Sequence, residues 1–191
     1  MKKLLFVAAF LMATVAASAQ GWWAGGGIGY FYEKSKGAPG GINSFSLAPE
    51  AGYDFNDKWG VAMAIGYSGE VDKSLDYFFT RSTHGFFIQP YVRYKFIKFG
   101  NATFFVDGIV QYGYDVTKEK DGIREITYKA AEGHSAKVGV CPGFAYAFCD
   151  KAVLACRFGF LGYQHDGLTR SNGFGFDFSS YNLGLSMYFA L

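Results

Sequence analysis

Phe45–Tyr67, FSLAPEAGYDFNDKWGVAMAIGY, alternates large and small side chains on both sides of a short turn. Phe45, Leu47, Pro49, Ala51, Tyr53 and Phe55 take the odd positions, with Ser46, Ala48, Glu50, Gly52 and Asp54 between them. From Trp59 the odd positions hold Trp59, Val61, Met63, Ile65 and Tyr67, separated by Gly60, Ala62, Ala64 and Gly66. A period of two is the signature of a β-strand with unlike faces. Folding the stretch antiparallel about Asp57 sets Phe55 against Trp59, Tyr53 against Val61 and Ala51 against Met63. Large residues then meet large ones, which specifies the register.

The same test extends outward along the chain. About Phe99, Tyr94 is expected to face Phe104, and Val92 to face Val106. About Asp150, Phe148 is expected to face Ala152, Tyr146 to face Leu154 and Phe144 to face Cys156. No mature segment carries an apolar period of 3.6. With a strand near Trp23–Tyr32 and the alternating end Tyr181–Leu191, about eight strands are expected, near 22–32, 44–55, 59–69, 85–96, 102–115, 135–148, 152–163 and 176–191. They exceed the roughly 5–6 residues usual in soluble sheets and reach the ~9–11 of a tilted membrane strand.

The two faces decide between a soluble and a membrane barrel. The face opposite the aromatics is mostly Gly, Ala and Ser with a few charges, not a solvated surface. Such a face suits a narrow lumen, and the aromatic and aliphatic face then meets lipid. A sheet in hydrocarbon must close, because no edge can stay unpaired there. Tyr53, Phe55, Trp59, Tyr94, Phe96, Tyr146 and Phe148 gather beside the short turns as an aromatic girdle. Tyr30, Tyr32, Tyr67, Tyr112 and Tyr114 lie near the opposite ends. Short connections (NDK, IKFGN, CDK) alternate with long ones near 33–43, 70–84, 116–134 and 164–175, the rhythm of periplasmic turns and external loops. The fold class is therefore all-β: a closed, antiparallel, up-and-down transmembrane barrel.

Composition agrees. Of 191 residues, half are apolar and 20% aromatic, with 26 Gly and 4 Pro, which excludes a disordered or collagenous chain. Residues 1–19 read as a signal peptide: Lys2 and Lys3, an apolar run from Leu4, and Ala17-Ser18-Ala19 before the cut. Residues 20–191 then form the barrel domain. Losing Lys2 and Lys3 lowers 18 basic residues to 16 against 16 acids, a net charge near zero that argues against a nucleic-acid partner. Three Cys make an odd number, and no disulfide framework is expected. Cys141 is placed in the lumen, Cys156 toward lipid and Cys149 in a turn.

Three strands share a phrase. Pro49–Phe55, Pro90–Phe96 and Pro142–Phe148 each read Pro-x-x-x-Tyr-x-Phe, and Leu185–Leu191 aligns with them at the chain end. A proline in a strand marks an edge or a bulge. With signal, strand rhythm, girdle and terminal strand, the chain resembles the small outer-membrane β-barrel proteins of Gram-negative bacteria, of the eight-stranded OmpA/OmpX/OmpW type and the broad outer membrane protein beta-barrel domain group. The resemblance implies the cell outer membrane. It also implies that the strand of Leu185, Met187, Phe189 and Leu191 is read by the barrel-assembly machinery, with outer-membrane lipid and lipopolysaccharide as surroundings and a monomer as the working state. A terminal Leu191, with Phe189 before it, departs from the usual aromatic last residue.

Candidate chemistry lies in the lumen. Glu50, Asp54, Gln89, Arg93, Lys95, Asp107, Gln111, Lys137 and Arg157 share the phase of the small residues and form the expected polar network, with Asp107 diagonal to Arg93. Such a network fills and rigidifies an eight-stranded interior. His84, His134 and His165 fall at loop ends and read as solvated. His134 and Ser135 are adjacent and therefore on opposite faces, so a hydrolase pairing is not met. No catalytic residue, metal or cofactor is assigned. Arg124–Ala130 alternates within the longest loop, as an exposed ribbon or an ordinary loop hairpin, and Phe78 and Phe79 are candidates to touch lipopolysaccharide or a partner. Phe174–Phe178 runs in the opposite phase to Tyr181–Leu191, which calls for a bulge near Ser179-Ser180. The expected role is non-enzymatic: structural, or a surface interaction such as adhesion through the long loops. The alternatives are a narrow channel for small or apolar solutes and, more remotely, a lipid-modifying enzyme.

Overall fold

The computed structural model describes residues 21–33, 40–73, 79–122, 124, 126–149, 151–177 and 183–190. The expected signal peptide, Phe78, the bulge near Ser179-Ser180 and Leu191 lie outside these residues. Ten strand segments follow one another without a helix among the described residues: β1 (Trp22–Glu33), β2 (Ile42–Asp54), β3 (Trp59–Asp72), β4 (Phe79–Phe99), β5 (Ala102–Asp121), β6 (Ile126–Cys149), β7 (Ala152–Phe158), β8 (Phe160–Asp166), β9 (Ser171–Asp177) and β10 (Leu183–Ala190). β7 and β8 are halves of one strand, both paired to β6 and broken at Gly159. β9 and β10 are halves of another, paired to β8 and β7. The ring of eight strands runs β1 to β6 through consecutive antiparallel neighbours and closes where β10 meets β1.

Closure rests on a short seam. β1 and β10 pair over Trp23↔Ala190, Ala24↔Phe189, Gly25↔Tyr188 and Gly26↔Met187, whereas β1 and β2 pair from Trp22↔Tyr53 to Glu33↔Ile42. The alternating residues Met187–Ala190 thus complete the wall.

Register follows the hydrophobic pattern where the turn is simple. β2 and β3 pair at Tyr53↔Val61 and Ala51↔Met63. About the second turn the register is displaced by two residues: Tyr94 faces Val106, Val92 faces Gly108, and Arg93 stands directly opposite Asp107 rather than diagonal to it. The cause is local. Gly100 (φ 58°) and Asn101 make a two-residue turn, so β4 continues to Phe99, and a bulge lies between Lys95 and Ile97. A slip of two leaves every side chain on its face, so the faces survive although the partners change. At the third turn Tyr146↔Leu154 and Phe144↔Cys156 pair, but Cys149 rather than Phe148 meets Ala152, because an irregularity lies between Ala147 and Cys149. Cys149 closes β6 instead of sitting in a turn.

The prolines gain a physical reading from the ladders. Pro49, Pro90 and Pro142 each pair with the preceding strand, at Gly26, Met63 and Val106. Toward the following strand each ladder skips: residues 48–49 of β2, 89–90 of β4 and 141–142 of β6 have no partner there. A proline has no N–H to give, so it occupies the gap at no further loss. At Pro142 the gap coincides with Gly159 (φ 82°), the extra residue where Phe158, Gly159 and Phe160 span two positions of β6.

Candidate functional site

Side chains from five strands meet in the lower lumen. Arg93 (β4) makes a bidentate pair with Asp107 (β5): Nε to Oδ1 at 2.7 Å and Nη2 to Oδ2 at 2.8 Å. Arg157 (β7) donates Nε to Asp107 Oδ2 at 2.8 Å and a second fork to Glu50 (β2), Nη1 to Oε1 at 3.0 Å and Nη2 to Oε2 at 2.9 Å. Tyr91, Ser186 and Tyr188 also donate to Glu50, at 2.5, 3.1 and 3.3 Å. Two guanidiniums thus face two carboxylates, with no net charge. Asp107 is 0% exposed and Glu50 5%, and no buried side-chain nitrogen or oxygen among the described residues lacks a hydrogen bond. Buried charges persist only when paired and saturated in this way.

Rings surround the ion network. The Arg93 guanidinium lies 3.9 Å from the Phe105 ring centre, 5.3 Å from that of Tyr188, 5.5 Å from Tyr91 and 5.8 Å from Trp23. These distances fall within cation–π range. Trp23, Tyr91, Phe105, Ile109, Phe160 and Tyr188 are all buried in one cluster with Cys141. The lumen is therefore not mostly small residues: large rings fill it, and the small ones receive them. A Cβ on Gly52 would stand 2.4 Å from the Trp23 ring, and one on Gly143 2.2 Å from that of Phe105. Doublets carried this signal. In a strand, adjacent residues face opposite ways, so Trp22-Trp23 and Phe104-Phe105 must each send one ring inward.

The nine lumen candidates divide. Glu50, Arg93, Asp107 and Arg157 meet. Lys95 and Asp54 form a separate pair at 2.6 Å, partly exposed at the lower rim. Gln89, Gln111 and Lys137 stand in the lumen phase but are not in the network. Tyr91, which the sequence sets close to Arg93 and Asp107, does join it, as do Ser186 and Tyr188, which lack the formal charge that marks the other members.

The outer face carries the girdle. Tyr53 packs on Trp22 and Phe55, Trp59 on Tyr94, Phe96 on Phe104, Phe104 on Phe144, and Tyr146 on Phe148. Leu185, Met187 and Phe189 point outward and are about half exposed. The histidines are not loop residues. His84 and His134 lie on β4 and β6, face outward and bond Tyr67 Oη and Tyr112 Oη at 2.8 Å; His165 on β8 bonds Asn172. Ser135 points inward to Asp115 at 3.0 Å, away from His134. Cys141, Cys149 and Cys156 are free thiols.

Above the network the lumen opens into a cup of about 400 Å³ lined by Gly29, Ser44, Ser46, Ser68, Glu70 and Thr83. The walls then rise beyond it as a ribbon. Arg81 binds Glu119 through Nε and Nη2 at 3.0 and 2.8 Å, and Tyr128 donates to the same carboxylate at 2.8 Å. Donation from Tyr128 and the nearby Arg81 hold the Glu119 carboxyl below its ordinary range. Arg124–Ala130 thus includes the first residues of β6, of which Ile126–Lys129 pair with β5 above the barrel and Ala130 is the unpaired residue of an irregularity.

A ring of eight antiparallel strands, aromatic outside and ion-paired within, defines the class of small outer-membrane β-barrels. A family model described as the outer membrane protein beta-barrel domain matches residues 4–189, and the chain belongs to that family. Among solved structures it is similar to Neisserial surface protein A (TM-score 0.53, 15% identity, 91% of this chain and 99% of that one). It is also similar to Ail, the attachment invasion locus protein of Yersinia pestis (TM-score 0.51, 12% identity, 90% and 99%). At these identities the likeness carries the fold. No curated protein matches the chain.

Proposed function

We propose that the chain is a non-enzymatic surface barrel, sealed within and held in the outer membrane to present a ribbon to partners outside. The observation that carries this is strand length. β5 has 20 residues and β6 has 24, against the roughly 9–11 that a tilted strand needs to cross hydrocarbon. About half of each strand therefore extends beyond the membrane. Ladder pairing, the Arg81–Glu119–Tyr128 cluster and the Thr83–Thr117 hydrogen bond stiffen that extension. A stiff, paired ribbon loses little entropy on binding, and its backbone edges suit β-augmentation. The name of Ail speaks of attachment, which fits the same reading. The non-enzymatic reading is supported by the outward His134 and inward Ser135, which share no site.

The test replaces residues 117–131 with Asn-Gly, a two-residue hairpin turn. Displayed on a Gram-negative host, the intact chain should raise attachment to matrix-coated surfaces severalfold over the trimmed one, with both barrels heat-modifiable. Equal attachment by the two would overturn the reading.

A further inference from the structure

The outward face carries charge in one place. On the described strands every Asp, Glu, Lys and Arg stands in the lumen phase except Lys118, Lys120, Lys129 and Glu132, all exposed on the β5–β6 ribbon. Glu132 is neutralised locally, accepting from Tyr114 and Lys129. Lys118 and Lys120 have no ion-pair partner among the described residues. Lys118 stands directly opposite Lys129 across the ladder, and Lys120 is diagonal to it. Directly opposed like charges, with Cβ atoms about 5 Å apart, destabilise a sheet. Lys129 is held by Glu132, so Lys118 and Lys120 are the uncompensated ammonium groups of the patch, and two this close suit an anion with several oxygens.

Their position selects the anion. Tyr112, Tyr114 and His134 stack just below, on the same face, as an aromatic belt of the kind found at a membrane interface. Lys118 follows Tyr114 by four residues, about 13 Å along the strand and about 10 Å in height at a tilt near 40°. That exceeds the ~5–7 Å headgroup layer outside the hydrocarbon of an ordinary leaflet. A phosphate carried on a sugar headgroup stands higher. Thr80, Ser82 and Thr127, at ladder positions beside Lys120 and Lys118, offer hydroxyls to such a sugar.

We propose that this outward patch binds the phosphate of a phosphorylated glycolipid in the outer leaflet, with Lys118 and Lys120 as the contacts. The proposal goes beyond the adhesive reading and does not depend on it: the lipid lies on the outside of the wall, whatever the ribbon binds.

The experiment is native mass spectrometry of the folded full chain released from micelles doped with lipopolysaccharide, with dephosphorylated lipopolysaccharide or with phosphatidylglycerol. Lipopolysaccharide adducts should persist, weaken as salt rises, and fall about thirtyfold in Lys118→Gln/Lys120→Gln, given the attraction of each lysine to an anionic surface. Lys118→Arg/Lys120→Arg should retain them. The salt titration uses the unaltered chain, so it decides even if a variant misfolds. Undiminished adducts in the Gln variant, salt-independent binding, or equal retention of dephosphorylated lipid would overturn the site. Equal retention of phosphatidylglycerol would overturn its assignment to a glycolipid.

Discussion

Arg157 joins the two halves of the network, because among the described residues it alone bonds both Glu50 and Asp107. Replacing it with Leu leaves Glu50 without its hydrogen-bonded cation and Asp107 with one guanidinium, both buried. Loss of one partner from a buried ion network costs about 3–5 kcal/mol. Lys95→Leu removes a pair whose side chains are 24% and 31% exposed, where solvent screens the interaction and about 1 kcal/mol or less is expected. Urea unfolding in lipid vesicles should therefore separate the two variants by several kcal/mol, and equal midpoints would contradict the network. Alternation places all four charged residues on the lumen face. It cannot say which of them meet, since Glu50 and Arg157 are joined only by the closure of the ring. The rings around Arg93 escape notice for a related reason: apolar residues on a small-residue face break the pattern that assigns the face.

At the level of elements, faces are legible and partners less so. The β2–β3 hairpin is read correctly from Tyr53, Val61, Ala51 and Met63 because its turn adds no irregularity. The β4–β5 pairing is missed by two positions because Gly100-Asn101 makes a tighter turn than the length of IKFGN suggests and a bulge follows. Strand ends are underestimated, too. Above the membrane both faces turn polar, as in Arg81–Thr83 and Lys118–Asp121, and alternation of hydrophobicity no longer marks a strand. Gly159 is the element-level test. Its φ of 82° lies where a Cβ costs about 1–2 kcal/mol, so Gly159→Ala should lower vesicle stability by about that amount. Gly175→Ala meets open space at an unstrained backbone and should stay within about 0.5 kcal/mol. Equal effects would mean that the break between β7 and β8 is not set by that glycine.

For the whole molecule, one architecture serves two environments. The lower half is a packed interior, with Glu50, Arg93, Asp107 and Arg157 inside a shell of rings, and the upper half is a hydroxyl-lined cup beneath a ribbon. An eight-stranded barrel is just wide enough for side chains to fill, and here they do so at one level. The proposed seal allows no continuous water path across this level. Single-channel recording in planar bilayers tests it most directly. The intact chain should insert and give no stable conductance steps, while Arg93→Ala, which removes the group between Phe105, Tyr188 and Asp107, should be the first variant to leak. Reproducible steps from the intact chain that change size in Arg93→Ala would contradict the account and make the lumen a pore.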